Sequence, residues 1–315
     1  MTVIDAHHHV WDLAVRDQPW LSGAGMAAIR RTFTVGDLRP AARAAGVGAT
    51  VLVQTVTVAA ETPEMLALAD ADPLVAAVVG WTDLTSPAIA DELARLAGGP
   101  GGGRLAGVRH QVQEEPDPDW LRRPDVIRGL RAVAAAGLAY DLVILPQQLP
   151  AATYAAAAVP GLTLVLDHAG KPDAGGGLSG WTTAVRDFAA RPNTTCKLSG
   201  LAAEAPGGRQ SQAIAVVADV VLGAFGANRV MFGSDWPVCL LASDYAGVMA
   251  LARSLTAGLS PSERAAVFGA TAARAYRLGE IAPAAATGTA DGDGGPAGGP
   301  GDAGTGSGSG ERPWH

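Results

Sequence analysis

The chain has 315 residues, of which 48% are hydrophobic, so it is long enough to bury one large core. Its formal net charge of −7 argues against nucleic acid or an anionic membrane as the main partner, because both favour a concentrated basic surface. We therefore expect a small-molecule partner and leave a homo-oligomer open. No run reaches the roughly 18 apolar residues that would span a bilayer, and no secretory apolar segment begins the chain, so a cytoplasmic location is expected.

The first predicted strand lies in the segment VIDAHHHVWD, where a short apolar run ends in three consecutive histidines. Because side chains alternate faces along a strand, His7 and His9 point the same way and His8 points to the other face. Two imidazoles on one face can share a ligand. The alternative is that the three histidines are a surface cluster or the remnant of a tag. Two further histidines also fall at or near the ends of apolar, strand-like runs: His110 and His168.

The rest of the chain alternates between helices and short apolar strands. A connection with little periodicity, Val10–Phe33, is predicted to be a loop over one mouth of the fold, and the next helix begins at the N-cap Thr34 and ends at Gly46. A final helix opens with the capping box at Ser260 and runs to about Leu278. Further strands are predicted at Thr50–Thr55, Leu74–Trp81, Leu105–Gln111, Ala139–Leu145, Leu162–His168, Thr194–Leu198 and Arg229–Asp235.

This alternation predicts an α/β fold, a (β/α)₈ or TIM barrel. Near-continuous apolar strands buried by crossover helices form a parallel sheet, and eight repeats in about 250 residues are typical of such a barrel. A doubly wound open sheet is the alternative, but no predicted strand is followed by a glycine-rich phosphate turn. We expect one barrel domain over residues 1–282. Residues 283–315 are expected to be a disordered tail, because their Gly, Ala, Pro and Asp content leaves little apolar area to bury.

The candidate functional residues are the polar side chains at strand ends, because the C-terminal face of a (β/α)₈ barrel carries its active site. One strand-end histidine alone could be a core residue, but convergence from many strands favours a functional site. The chain has only two lysines, and both are among the candidates, although no role is assigned to Lys197. The candidates are His7, His9, Gln54, Arg109, His110, Gln111, Asp141, Asp167, His168, Lys171, Lys197 and Asp235.

Three motifs in the sequence resemble the amidohydrolase superfamily. These are HxH on the first strand, LDHAGKP on the sixth and FGSDWP on the eighth. The fourth-strand segment GVRHQVQEEPD is similar to the sugar-lactonase branch, which includes enzymes of the L-fuconolactonase and L-rhamnonolactonase type. The resemblance covers roughly residues 3–280 and implies hydrolytic ring opening of a lactone. It also implies that His7, His9 and His168 are site histidines and that Asp235 activates water.

The resemblance also bears on metal binding. Binuclear members usually offer a fifth-strand histidine, where this chain has Asp141, and the fourth strand offers Arg109 and His110 in place of a bridging lysine or glutamate. We therefore expect at most one divalent ion, Zn²⁺ or Mn²⁺, with a metal-independent site as the alternative. Its expected ligands are His7, His9 and Asp235, with or without His168.

In the expected mechanism, Asp235 is the general base and His168, with His7 and His9 or their metal, stabilises the oxyanion. Other polar side chains would bind substrate hydroxyls or a carboxylate, and tryptophan faces would pack on a sugar ring, although each tryptophan could equally be packing. The expected substrate-binding residues are Gln54, Arg109, His110, Asp141, Lys171, Trp81, Trp120 and Trp236.

Three other functions remain as alternatives. A decarboxylase on the same barrel would use a similar set of histidines, but it would tend to keep a fifth-strand histidine. A non-catalytic binding barrel would be expected to have lost the aspartate or the HxH pair. Hydrolysis of an amide or urethane is the third.

Overall fold

The structure is a computed structural model that describes residues 2–173, 177–201 and 210–279. The predicted tail at 283–315 lies outside the described residues. Eight parallel strands form one sheet in chain order, each paired with the next, which confirms the predicted (β/α)₈ fold. The strands are β1 (Val3–His8), β2 (Val47–Val53), β3 (Val75–Gly80), β4 (Leu105–His110), β5 (Ala139–Leu142), β6 (Leu164–Leu166), β7 (Thr194–Leu198) and β8 (Val230–Phe232).

The barrel is nearly closed by contacts between its first and last strands. An isolated parallel bridge joins His8 to Trp236. The backbone N–H of His9 donates to the Trp236 carbonyl at 2.7 Å, and that of Asp235 donates to the His7 carbonyl at 2.8 Å. The two segments that carry the most distinctive motifs are therefore neighbours.

Helices cover the outside of the sheet. As the predicted alternation requires, a helix lies between each pair of successive strands. The helix α8 (Tyr245–Leu255) was not predicted, although Asp244 caps it by accepting a hydrogen bond from the Gly247 N–H at 2.7 Å. The last predicted helix begins at its capping box and is then divided by a π-helical turn at Ala266–Ala270. The α-helices of the described residues are α1 (Val35–Ala44), α2 (Glu61–Ala71), α3 (Ile89–Gly98), α4 (Pro124–Ala135), α5 (Leu149–Ala158), α6 (Ser179–Ala189), α7 (Gln210–Phe225), α8 (Tyr245–Leu255), α9 (Pro261–Ala265) and α10 (Thr271–Ala275).

The apolar core has two parts. The larger lies between the helices and the outer face of the sheet, and the smaller consists of alternate strand residues that fill the barrel, such as Ile4, Val51 and Val165. Tyr276, just after α10, belongs to the inner part. Both cysteines, Cys196 and Cys239, are buried free thiols. Among the described residues, no helix is both long and apolar enough to cross a membrane.

Several strands end earlier than predicted, and this decides where the functional side chains point. The predicted sixth strand reaches His168, whereas β6 ends at Leu166 because the backbone then turns left-handed, with φ of 53° at His168. Asp235, with φ of 57°, likewise follows β8 rather than ending it. The predicted loop Val10–Phe33 contains two short 3₁₀ segments, Pro19–Ser22 and Ala24–Ile29.

Close packing of α4 on the loop after β3 gives a stability prediction. A Cβ at Gly129 would lie 2.1 Å from the Leu84 carbonyl oxygen, so Gly129→Ala should lower the free energy of unfolding by about 1–3 kcal/mol. The matched control is Gly223→Ala in α7, where nothing lies within 4 Å and helix propensity should raise stability by up to about 1 kcal/mol. Urea unfolding of both variants checks this, and shifts in the same direction would contradict it.

Candidate active site

His7 of β1 and His9, which follows the strand, point the same way as predicted. The Nε2 atoms of His7 and His9 lie 3.1 Å apart, and the Nδ1 atom of His9 donates to the Val53 carbonyl at 2.7 Å. That bond orients the His9 ring with Nε2 towards His7. Burial lowers the pKa of His8 to about 3, so its ring is a neutral core group.

Asp235 stands among three imidazoles. Its Oδ1 atom is 3.5 Å from Nε2 of His9, 3.6 Å from Nε2 of His7 and 3.9 Å from Nε2 of His168. Burial acts to raise the pKa of Asp235. The neighbouring histidines, His168 foremost, together lower it by more than burial raises it, so the pKa lies below the ordinary range. The carboxyl group is therefore ionised at neutral pH.

A left-handed turn presents His168 and Lys171. The residues from 168 to 171 all have positive φ, and three of them are not glycine: His168, Ala169 and Lys171. Such backbone is strained for residues with a Cβ and persists where the surroundings hold it. Here the indole N–H of Trp181 donates to the Ala169 carbonyl at 2.8 Å. The turn is therefore a fixed support for both side chains.

The ring of His168 is fixed by the segment after β7. Its Nδ1 atom lies 2.9 Å from the Ser199 hydroxyl. A Cβ at Gly200, where φ is 68°, would lie 2.5 Å from that same Nδ1 atom. The position therefore needs glycine both for its backbone conformation and to leave room for the imidazole.

A buried ionic network lies next to the histidines. The Lys197 Nζ atom is 2.5 Å from Oδ2 of Asp141, 3.0 Å from Oδ1 of Asp167 and 3.1 Å from Nδ1 of His7. Arg109 donates to the other oxygen of Asp167 at 2.9 Å. Burial raises the pKa of Asp141 to about 6, although Lys197 pulls it down. Burial also acts to raise the pKa of Asp167, but Lys197 and His7 bring it well below the ordinary range.

A cavity of about 350 Å³ opens beside these groups, a size suited to a small ligand. Six predicted strand-end residues line it: His9, Arg109, Gln111, His168, Lys171 and Asp235. The other eight lining residues were not predicted: Trp20, Met26, Thr55, Gln113, Glu114, Val143, Val238 and Leu241. Trp20 sits in one of the 3₁₀ segments of the first loop, while Gln113 and Glu114 follow β4 within the motif GVRHQVQEEPD, which was a usable signal.

Three predicted substrate-binding residues instead form a cluster that supports the loop after β4. The indole N–H of Trp81 donates to Nδ1 of His110 at 3.1 Å, and the ring of Trp120 stacks on His110 with centroids 4.6 Å apart. His110 Nε2 in turn donates to Glu115 at 2.7 Å. None of the three lines the cavity, and their contact with substrate stays a prediction.

The remaining three predicted substrate-binding residues also lie outside the cavity lining. Gln54 is buried and accepts a hydrogen bond from Arg109 at 3.0 Å, which fixes the guanidinium. Asp141 is shared between Lys197 and the Tyr276 hydroxyl, which donates at 2.8 Å. Trp236 is buried against Phe33 with ring centroids 5.3 Å apart. Each therefore supports the walls of the site, and its contact with substrate stays a prediction.

Comparisons with known proteins show the family of this chain. The family model described as Amidohydrolase, of the amidohydrolase 2 type, matches residues 4–278. The chain belongs to the amidohydrolase 2 family. An L-fucono-1,5-lactonase from Burkholderia multivorans is 40% identical over 294 residues, which cover 89% of this amidohydrolase and 98% of that protein. An L-fucono-1,5-lactonase from Burkholderia ambifaria is 38% identical over 280 residues, covering 87% and 95%.

A solved structure resembles this amidohydrolase closely. It is an amidohydrolase from Burkholderia multivorans with bound zinc, 39% identical, with a TM-score of 0.83 and coverage of 89% of this chain and 100% of that chain. The comparisons confirm the resemblance to the amidohydrolases that the sequence motifs indicated.

Buried histidine and aspartate side chains of this amidohydrolase could bind a metal ion. The two groups within reach of one ion share His7: one adds His9 and Asp235, the other Asp167 and His168. A tetrahedral ion with bonds of about 2.0–2.1 Å holds its ligand atoms about 3.3–3.4 Å apart. The donor atoms of the first group are 3.1, 3.5 and 3.6 Å apart, so their spacing and chemistry fit a zinc-like ion.

The buried carboxyl of Asp141 gives a prediction for stability against pH. The pKa of Asp141 is about 6 in the folded protein and ordinarily 3.8, so ionisation of this carboxyl opposes folding. Its contribution to the free energy of unfolding is therefore fully present at low pH and is lost as the pH rises from about 4 through 6. The loss should be of the order of 3 kcal/mol, since one pKa unit corresponds to about 1.4 kcal/mol. Urea unfolding across this range should show a smaller decline for Asp141→Asn. An equal decline would contradict the assignment.

Proposed function

We propose that this amidohydrolase opens the ring of a sugar-derived lactone of the L-fucono-1,5-lactone type by water attack on the ester carbonyl. The observation that carries the proposal is an ionised carboxylate, Asp235, at the wall of a ligand-sized cavity and within 4 Å of three imidazoles. Two L-fucono-1,5-lactonases at 40% and 38% identity over most of the chain support the choice of substrate class. The activity is that of a carboxylic ester hydrolase.

Asp235 acts as the general base. Its carboxylate accepts a proton from water as the water oxygen bonds to the lactone carbonyl carbon. The bond from that carbon to the ring oxygen then breaks, and the departing oxygen takes the proton back and becomes a hydroxyl group. The product is an open-chain hydroxy acid, which releases a proton at neutral pH. Because the pKa of Asp235 is held low, its carboxylate is available as the base throughout the neutral pH range.

Positive and donor groups face the carbonyl oxygen as it gains charge. His168 is the nearest candidate, because its Nε2 atom lies beside Asp235 at the cavity wall while its Nδ1 atom is tied to Ser199. Arg109 and Lys171 add cationic side chains to the same wall. Fixed donors of this kind stabilise an oxyanion without reorganising during the reaction.

The remaining cavity walls suit a polar ring. Gln111, Gln113 and Glu114 offer amide and carboxylate groups for substrate hydroxyls, and Trp20 offers an aromatic face. The Gln111 side-chain amide donates to the Thr55 carbonyl at 3.0 Å, which fixes its orientation. A sugar lactone has several hydroxyls and one apolar ring face, whereas an aryl ester has none of those hydroxyls.

At most one divalent ion, Zn²⁺ or Mn²⁺, is proposed for the site, held by His7, His9 and Asp235. When bound, it would polarise the carbonyl or the attacking water. His168 and Asp235 keep the same tasks without it. The fifth-strand position that would add a histidine holds Asp141, which is already bonded to Lys197 and Tyr276.

The substrate class is tested with a panel of five- and six-membered aldonolactones, simple aryl esters and simple amides, followed with a pH indicator. Turnover should be confined to the aldonolactones, because only they match both the ester chemistry and the polar walls. Hydrolysis of an amide with no activity on any aldonolactone would overturn the proposal.

The role of the base is tested by Asp235→Asn, which keeps the shape but cannot accept a proton. We expect kcat to fall by roughly 10² to 10⁴ while the fold survives. The control is Asp244→Asn, which alters the cap of α8 and should cost about 1 kcal/mol of stability at most without changing the rate. More than about a tenth of wild-type kcat in Asp235→Asn would contradict the assignment.

A further inference from the structure

Behind the cavity wall lies a buried acid, Glu61, which is the first residue of α2. Its Oε1 atom accepts from the N–H of Thr55 at 2.9 Å and from the Thr55 hydroxyl at 2.5 Å. Its Oε2 atom accepts from the N–H of Val56 at 3.2 Å. A carboxylate offers only acceptors, which matches these three donors, and the start of a helix favours its negative charge. Glu61 therefore binds two successive backbone N–H groups of the segment after β2.

The peptide unit that joins Gln54 to Thr55 connects Glu61 to a side chain of the cavity. In a trans peptide unit the C=O and N–H groups point in opposite directions. The N–H of this unit donates to Glu61, and its C=O accepts from Nη2 of Arg109 at 2.5 Å. Arg109 lines the cavity. The plane of this peptide unit therefore helps to set the direction of the guanidinium.

The next peptide unit, which joins Thr55 to Val56, repeats the arrangement. Its N–H donates to the other oxygen of Glu61, and its C=O accepts from the side-chain amide of Gln111 at 3.0 Å. Gln111 also lines the cavity. Hydrogen bonds in such a chain polarise one another, so the loss of one weakens the next. One carboxylate thus holds two peptide planes whose opposite edges orient Arg109 and Gln111.

We propose that Glu61 is a positioning residue for substrate binding, which aims Gln111 and Arg109 at the lactone through these two peptide units. Glu61 does not line the cavity, so it acts through the residues that do. Gln111 then meets a substrate hydroxyl, and Arg109 faces the carbonyl oxygen. The inference rests on the proposed lactone hydrolysis for the substrate groups that are met, but not for the hydrogen bonds that orient the two side chains.

The substitution Glu61→Gln separates the two peptide units. A glutamine amide has one acceptor oxygen and one NH₂ group. Thr55 supplies two of the three donors, so the amide oxygen stays with Thr55 and the NH₂ group faces the N–H of Val56, donor against donor. The peptide unit that orients Gln111 is released, while the one that orients Arg109 keeps its partner.

The first test is a double-mutant cycle with L-fucono-1,5-lactone as the substrate. Glu61→Gln and Gln111→Ala should each lower kcat/KM by about tenfold, chiefly through KM, which is the effect of one lost hydrogen bond. The double variant should also lose about tenfold, because both changes remove the same contact, whereas independent sites would give about a hundredfold. A loss of more than about thirtyfold in the double variant, or of less than about threefold in Glu61→Gln, would overturn the proposal.

Glu64→Gln is the matched control for the loss of a negative charge from α2. Glu64 lies one turn further along the helix, where its carboxylate pairs with Arg16 at 2.8 Å. The substitution should leave kcat/KM within about twofold of the wild type. A fall as large as that of Glu61→Gln would show that charge alone is responsible and would refute the positioning role.

A second measurement needs no substrate. Side-chain NH₂ signals are recorded by NMR on protein with ¹⁵N-labelled glutamine, and the Gln111 signal is assigned by its loss in Gln111→Ala. Glu61→Gln should speed the solvent exchange of the Gln111 N–H by at least about tenfold, and Glu64→Gln should not. Equal exchange in the wild type and Glu61→Gln would overturn the proposal.

The wild-type protein alone also gives a decisive result, whether or not Glu61→Gln folds. One N–H of the Gln111 amide should exchange slowly because it is bonded to the Thr55 carbonyl. Fast exchange of both Gln111 N–H atoms would contradict the proposal. If the wild type opens no aldonolactone, the proposed function fails, and the exchange data still decide whether Glu61 orients Gln111.

Discussion

The buried ammonium of Lys197 is the interaction on which the rest of the site depends. It neutralises two carboxylates that burial would otherwise expel, and through His7 it reaches the cavity wall. A charge taken into the barrel interior persists only if it is paired and its donors are satisfied. The groups that meet these conditions come from β1, β5 and β7 and from the residue after β6, so the network also fixes how these strands sit against one another.

The sequence could predict the parts of the site that follow from local geometry. Strand alternation brings His7 and His9 together, and the strand-end rule predicts Asp235, His168 and Lys171 at the cavity. The sequence could not predict the partners of Lys197, because these depend on strand register and on which side chains meet across the barrel. The left-handed turn after β6 also escaped prediction, since most of its residues are not glycine and its conformation is imposed by tertiary contacts.

The tryptophans also show what the sequence could not predict. Trp81, Trp120 and Trp236 lie near strand ends, as expected, but depth of burial decides whether a ring meets a ligand. Trp120 and Trp236 are almost fully buried, and Trp81 has given its N–H to His110. Trp20 reaches the cavity because a poorly periodic connection winds into 3₁₀ turns, and no periodicity in the sequence signals that path.

The seam between β1 and β8 gives the barrel an uneven circumference. Seven strand pairs share ladders, whereas the eighth join consists of an isolated bridge and backbone hydrogen bonds at His7, His9, Asp235 and Trp236. The joint that has no ladder thus includes His9 and Asp235, which line the cavity. Local opening of the barrel at this edge would therefore also disturb the geometry of the site.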